Sequence, residues 1–293
     1  MEQALEDVIM NAEQLSGNQF GDRWSDNVEI EPDVIEAEMN PSTETALFLN
    51  ESAHQPLFRL FPLNRFYELV EKHEMALVHV SNWEDTNEAF RYLTGLMADD
   101  LPGGSVSTFH SYATLFGQCW SLNDAEELCY PWNFYGDKSQ LVQVETSVMD
   151  LWKAVTPSFS TTKNPRVFCL HMGKVKYRDY LKIKSHEWLF EETMKLGNDL
   201  IHKRFMDSLY VKNKPYRFEK EVRIVYDDVA FQPEDHRPQL QQSGLVQLHN
   251  ICLGFIHRVT ASPFMSKKTF LNLQVRMTDV GLPHLLQQSR LFA

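Results

Sequence analysis

The spacing of apolar residues changes period many times along this chain, and each change marks an element. Pro56 to Phe61 is an almost unbroken apolar run, interrupted by Arg59, and predicts a first strand over 56–61. Leu63, Phe66, Leu69 and Val70 then recur at helical spacing, so 63–74 is expected to be a helix with that stripe inward. A second strand follows over 76–81. Residues 85–97 read as a helix with Phe90, Leu93 and Met97 inward, closed by the breaker Pro102-Gly103-Gly104. Strands are expected over 116–121, 140–145 and 166–171, with a helix over 148–155. The longest helix is expected over 188–209, where Phe190, Met194, Leu200, Phe205 and Leu209 form an apolar stripe. Strands over 216–226, 245–256 and 270–278 complete the pattern. Neither a repeat nor a regular strand–helix–strand alternation occurs. The expected class is therefore α+β, with mixed, mostly antiparallel sheets and flanking helices, rather than a doubly wound fold.

Residues 1–50 follow a different rule. Short apolar groups (Val8-Ile9-Met10, Val34-Ile35) alternate with acids, which suggests one or two short helices in an acidic extension, 1–50, ahead of a single domain, 51–293. Twelve acids face one base, Arg23, in this stretch, giving a net charge of −11 out of −12 for the whole chain. The other 243 residues hold 28 acids and 27 bases, so the overall acidity says nothing against a basic surface on the body. Two readings of the extension stay open: a solvated lead-in, or an arm that docks on a basic groove and blocks a nucleotide or nucleic-acid site.

At 293 residues, 43% apolar and 12% aromatic, the chain can bury one good-sized core or two small ones. No run of eighteen apolar residues occurs and the amino terminus is acidic, so neither a membrane span nor a secretory signal is expected, and the cytoplasm is the default compartment. Cys119, Cys129, Cys169 and Cys252 are scattered without a C-x-x-C pair, as reduced thiols would be. Cys169 and His171 form a close ligand-type pair, but two ligands do not make a metal site, and no metal is expected. Asn50-Glu51-Ser52 has glycosylation spacing without a secretory context.

Several chemistries are excluded by missing motifs: no phosphate loop, no dinucleotide fingerprint around Gly103-Gly104, no G-x-S-x-G elbow and no H-E-x-x-H helix. Phe218 to Val225 remains. Read as a strand, it puts Glu219, Glu221 and Arg223 on one side and Val222 and Ile224 on the other. Two close carboxylates repel, which raises at least one pKa unless a cation compensates. Such a pair suits a sugar-like cationic transition state. A solvated strand face laced by Lys220 and Arg223 is the competing reading. Arg59, inside its apolar strand, would either take a phosphate or form a structural ion pair. Ser121, after Cys119-Trp120, would either orient a carboxylate or cap a helix begun by Asn123 and Asp124. Bases and aromatics interleave from Lys174 to Trp188, as on a surface that contacts nucleic acid or on a solvated amphipathic edge.

Taken in order, these segments resemble a bacterial family known as domain of unknown function 2971, over about residues 56–265. The resemblance rests on Phe58-Arg59, on Glu84-Asp85-Thr86-Asn87-Glu88 as a weakly kept N-D-P-x-E-like element, on Cys119-Trp120-Ser121 as the C-F-S strand and on Trp132-Asn133-Phe134-Tyr135 as W-x-x-Y. It continues through the E-x-E-x-R strand, 216–223, and Ile251-Cys252-Leu253-Gly254. Asp85 lacks the asparagine before it and the proline after it. The same order looks like the arginine, serine, E-x-E plan of ADP-ribosyltransferases. That resemblance implies NAD as substrate, gripped by Arg59, with Trp132 or Tyr135 near the nicotinamide. It implies Ser121 steadying the site, with Ser107 in Ser105-Val106-Ser107-Thr108 as the alternative. Glu221 would act on the nicotinamide ribose and Glu219 would place the acceptor.

The function so implied is a toxin or phage-defence effector that modifies a nucleic acid or a protein, with an antitoxin or other partner protein and no membrane. Two other classes stay open: a non-catalytic module that binds RNA or DNA through 174–188, and an immunity or scaffold protein that contacts only other proteins.

Overall fold

The computed structural model describes residues 42–83, 115–125, 131–134, 136–161, 164–165, 170–178, 209–227 and 245–291. The acidic segment up to residue 41, the expected helices over 85–97 and 188–208, Ser107, Tyr135 and the part of the basic stretch beyond Arg178 lie outside these residues.

Among the described residues the main sheet has nine strands. They are β1 (Pro56–Pro62), β2 (Met75–His79), β3 (Leu115–Ser121), β4 (Leu141–Ser147), β7 (Leu170–Lys174), β10 (Glu221–Asp227), β11 (Leu245–Leu248), β12 (Arg258–Ala261) and β13 (Leu286–Gln288). Two small ladders stand apart, β5 (Ser160–Thr161) with β6 (Asn164–Pro165), and β8 (Lys176–Arg178) with β9 (Val211–Asn213). Every ladder of the main sheet is antiparallel except β12–β13, and helices flank it, so the fold is α+β with a mixed, mostly antiparallel sheet.

The sheet divides at β3. One edge of β3 pairs with β10 along its whole length, from Glu221↔Ser121 to Asp227↔Leu115. The other edge is shared: β2 takes Phe116 and Gly117, while β1 meets it at Phe58↔Ser121. β1 then pairs throughout with β4, from Pro56↔Ser147 to Pro62↔Leu141. Two half-sheets, β11-β2-β3-β10-β7 and β1-β4-β12-β13, therefore join at a single register pair and diverge. β10 lies inside the first, and all seven of its residues are buried.

The helix Leu63–Lys72 buries Leu63, Phe66, Leu69 and Val70, the four residues expected from its spacing. It ends at His73, whose left-handed backbone (φ 58°) donates its N–H to Glu68 O. The helix Val148–Val155 keeps its expected bounds because Ser147 caps it, its Oγ accepting from Asp150 N at 3.1 Å. The helix Thr43–Ser52 packs on the body: Thr45 Oγ1 accepts from Met172 N at 3.1 Å and Leu49 is buried.

Three expected strands differ. The one expected over 245–256 ends at Leu248, and Leu253–Phe255 forms a 3₁₀ turn. Residues 270–278 belong to a helix, Lys267–Asp279. The alternation of Leu271, Leu273, Val275 and Met277 fits a strand, but Leu273 and Met277 alone also satisfy an i, i+4 stripe. The chain takes the latter, with Ser266 as cap and Leu271 and Val275 exposed. The expected strand over 216–226 begins at Glu221, because Lys214–Glu219 forms a 3₁₀ turn.

Candidate active site

β10 and the turn before it carry the glutamate pair. Lys220 stands between them with a left-handed backbone (φ 45°), so strand alternation does not apply across Glu219 and Glu221. The carboxylates meet instead through Lys212 of β9. Its Nζ lies 2.7 Å from Glu219 Oε2 and 3.2 Å from Glu221 Oε1. Arg223 grips Glu221 with two bonds to Oε2, from Nε at 2.9 Å and Nη2 at 2.6 Å. A bidentate guanidinium of this kind fixes both position and charge of its partner.

The expectation of a solvated strand face does not hold. Arg223 is fully buried, stacked over the Trp83 ring at 4.5 Å and donating from Nη1 to Leu209 O at 2.5 Å, while Glu221 is only 8% exposed. Burial by itself would raise the Glu221 pKa, but Arg223 and then Lys212 outweigh it and hold the carboxyl below its ordinary value. Glu219 differs. Burial raises it first, the Lys212 bond opposes, and the Glu221 charge adds to the rise, leaving it at about 7. One carboxylate is thus held ionised and its neighbour titrates near neutrality.

The exit of β3 clamps the turn. Three successive carbonyls are taken: Phe218 O by the Asn123 side-chain amide, Glu219 O by Ser121 Oγ at 2.7 Å and Lys220 O by Leu122 N at 3.1 Å. Ser121 Oγ also accepts from Asn123 N at 3.0 Å. Ser121 thus meets the backbone beneath Glu219 and not a carboxylate. From the opposite side, β8 and β9 act as a bracket. Their parallel ladder sets Tyr177 beside Lys212, and the Tyr177 hydroxyl accepts the backbone N–H of Glu221 at 2.8 Å. Burial raises the Tyr177 pKa, so this hydroxyl stays protonated.

Arg59 is half-buried and donates from Nη1 to Cys119 O, bridging β1 and β3 where their ladder ends, with its guanidinium 5.4 Å from the Phe61 ring centre. It lies one residue from Phe58, whose register partner is Ser121, which in turn faces Glu221. Arg59, Ser121 and Glu221 therefore sit on three adjacent strands. Trp132 does not present the open ring expected of it. It is wholly buried beside Ala125 and Leu141, its indole N–H donating to Ala125 O at 3.2 Å, and a ring with no open face cannot stack on nicotinamide.

Lys212 and Trp83 carry no signal in the sequence, and Tyr177 stands out only as part of the basic, aromatic stretch from Lys174 to Trp188. Lys212 lies 7 residues before Glu219, and nothing in Val211-Lys212-Asn213-Lys214 distinguishes its ammonium from a solvated one. Its burial is set by β8, distant in sequence. Exposed bases do surround the pair: Lys174, Lys176, Arg178, Lys214, Arg217 and Lys220, with Phe218 45% exposed. Among the described residues no group of three or more His, Cys, Asp and Glu side chains could hold a metal ion, and no helix is long and apolar enough to cross a membrane.

No protein-family model matches the chain, and no curated protein matches its sequence. Two solved structures are similar to it at a low level. Thermus sp. 2.9 DarT in complex with ADP-ribosylated ssDNA is 10% identical, with 80% of this chain and 93% of that one covered and a TM-score of 0.32. Thermus sp. 2.9 DarT in complex with NAD+ is 8% identical, with 83% and 92% covered and a TM-score of 0.31.

Proposed function

We propose that the chain is an NAD-dependent ADP-ribosyltransferase, acting as a toxin or phage-defence effector on a nucleic acid or protein. The observation that carries this reading is the asymmetric glutamate pair: Glu221 fixed and ionised by Arg223, and Glu219 beside it with a pKa near neutrality. Both oxygens of Glu221 already accept from cations, yet a carboxylate offers about four lone-pair sites, so it can take a ribose hydroxyl as well. A fixed negative charge there stabilises the oxocarbenium ion as the C1′–N bond breaks and nicotinamide departs with the bonding electrons. The acceptor nucleophile then bonds to C1′ and its proton passes to Glu219, the general base.

In this reading Arg59, anchored on β3, takes the pyrophosphate, and Ser121 holds the turn under Glu219. Of the two aromatics that the resemblance offers for the nicotinamide, the buried Trp132 is unsuited, which leaves Tyr135 as the candidate. These roles are the ones implied by the resemblance to the domain of unknown function 2971 family and to the arginine, serine, E-x-E arrangement.

The test is incubation of the protein with NAD labelled in the adenylate and with cell extract, followed by nuclease or protease. The expected result is label on one macromolecular class, removed by the matching digestion. Free ADP-ribose alone, or no label, would contradict a transferase.

A second reading, a nucleic-acid-binding module without chemistry, is favoured by the six exposed bases and Phe218 around the pair. It predicts salt-sensitive binding of single strands that is unaffected by NAD.

A further inference from the structure

Lys212 is a buried ammonium that the proposed chemistry leaves without a task. It is 5% exposed, lies 5.0 Å from the Tyr216 ring centre, and divides its charge between Glu219 and Glu221. The two carboxylates do not depend on it equally. Glu221 is also held twice by Arg223, whereas the ion pair formed by Glu219 is the one with Lys212, at 2.7 Å. Lys212 is also held from outside the site: β9 is placed by its parallel ladder with β8, where Tyr177 pairs with Lys212 and binds Glu221 N. Burying an ammonium costs free energy unless well-placed ion pairs and hydrogen bonds offset its lost hydration, and here the two glutamates supply them.

We propose that Lys212 is a positioning residue of this site, fixing the Glu219 carboxylate next to Glu221 and favouring the ionised form that can accept a proton. The inference rests on the transferase reading for its catalytic consequence and on geometry alone for its electrostatic one. Among the described residues, the charged and titratable groups on the elements beside Glu219 include Lys212 from β9, Tyr177 from β8, Glu221 and Arg223 from β10, and Lys214, Tyr216, Arg217 and Lys220 along its own turn. Burial and the Glu221 charge push Glu219 towards protonation, and the Lys212 bond opposes them. Removing that ammonium leaves both upward pressures unopposed. An opposite charge within hydrogen-bonding range is worth about 1–3 pH units to a carboxyl, so the shift is readable.

The experiment compares the full-length wild type with Lys212→Met, Lys212→Gln and Lys212→Arg, using two readouts. The first is the titration midpoint of the Glu219 side-chain carboxyl by carbon-13 NMR, assigned with Glu219→Gln. The second is the pH profile of ADP-ribose transfer. In Lys212→Met the midpoint is expected to rise by about 1–3 pH units, carrying the acid limb of the profile to higher pH, while Lys212→Arg keeps both near their wild-type positions. Lys212→Gln serves the same comparison should the methionine variant not fold. An unmoved midpoint overturns the inference, and so does a rate lowered by the same factor at every pH. A wild type that transfers nothing overturns the transferase reading instead, and the midpoint still decides whether Lys212 controls Glu219.

Discussion

Glu221 carries structure and proposed chemistry at once, and the two must be separated in any mutant. Arg223 is wholly buried, so Glu221→Gln breaks a buried ion pair, a change that costs about 3–5 kcal/mol. Its melting temperature should fall clearly, as a thermal scan would show. Glu219→Gln behaves differently because Glu219 is 20% exposed at its side chain and its pKa is raised. A carboxyl whose folded pKa is raised stabilises the fold fully below its unfolded pKa, near 4.5, and loses that contribution as pH rises through about 7. Denaturant titrations should therefore show stability falling between those values in the wild type and a flatter curve in Glu219→Gln. Glu221, with its lowered pKa, contributes the opposite way: its stabilisation is present above the ordinary carboxyl range and is lost as pH falls below it.

The seam between β3 and β10 is the element on which the site depends. Gly117 is tight there, since a Cβ would stand 2.8 Å from the Trp83 ring and 3.0 Å from Ile224 O. Gly117→Ala must displace Trp83, the ring under Arg223, or part the two strands, at about 1–3 kcal/mol; a lower unfolding midpoint in urea would register it. Much of this level was legible from spacing alone. The stripe of Leu63, Phe66, Leu69 and Val70 fixed one helix, and the runs around Leu57, Cys119 and Val144 announced β1, β3 and β4. The helix Lys267–Asp279 was not legible, because Leu273 and Met277 satisfy both periods and only packing chooses between them. The pair itself was visible as E-x-E, but not its asymmetry, which comes from Lys212, Trp83 and the left-handed Lys220, none of them marked by any local pattern.

At the scale of the molecule, charge is divided between an acidic segment before residue 42 and a body with exposed bases around the glutamates. If that segment competes with a polyanion, deletion of residues 1–41 should tighten single-stranded DNA or RNA binding, with log Kd rising steeply with log salt, as fluorescence anisotropy would measure. Deletion through Ser52 should cost stability too, because it removes the buried Leu49 and the Thr45 contact with Met172. A fall of about 2–6 °C in Tm is expected from a loss near 1–2 kcal/mol. All of this concerns how an acceptor reaches the pair; whether the pair does chemistry is decided by nicotinamide release. Purified wild type, Glu221→Gln and Glu221→Asp should be compared for release of nicotinamide from NAD, at a temperature where each melts cooperatively well above the assay. The account predicts release by the wild type and a loss of about 10²–10³-fold in folded Glu221→Gln, the scale of removing one preorganised charge-stabilising group. Equal release by wild type and folded Glu221→Gln would contradict it.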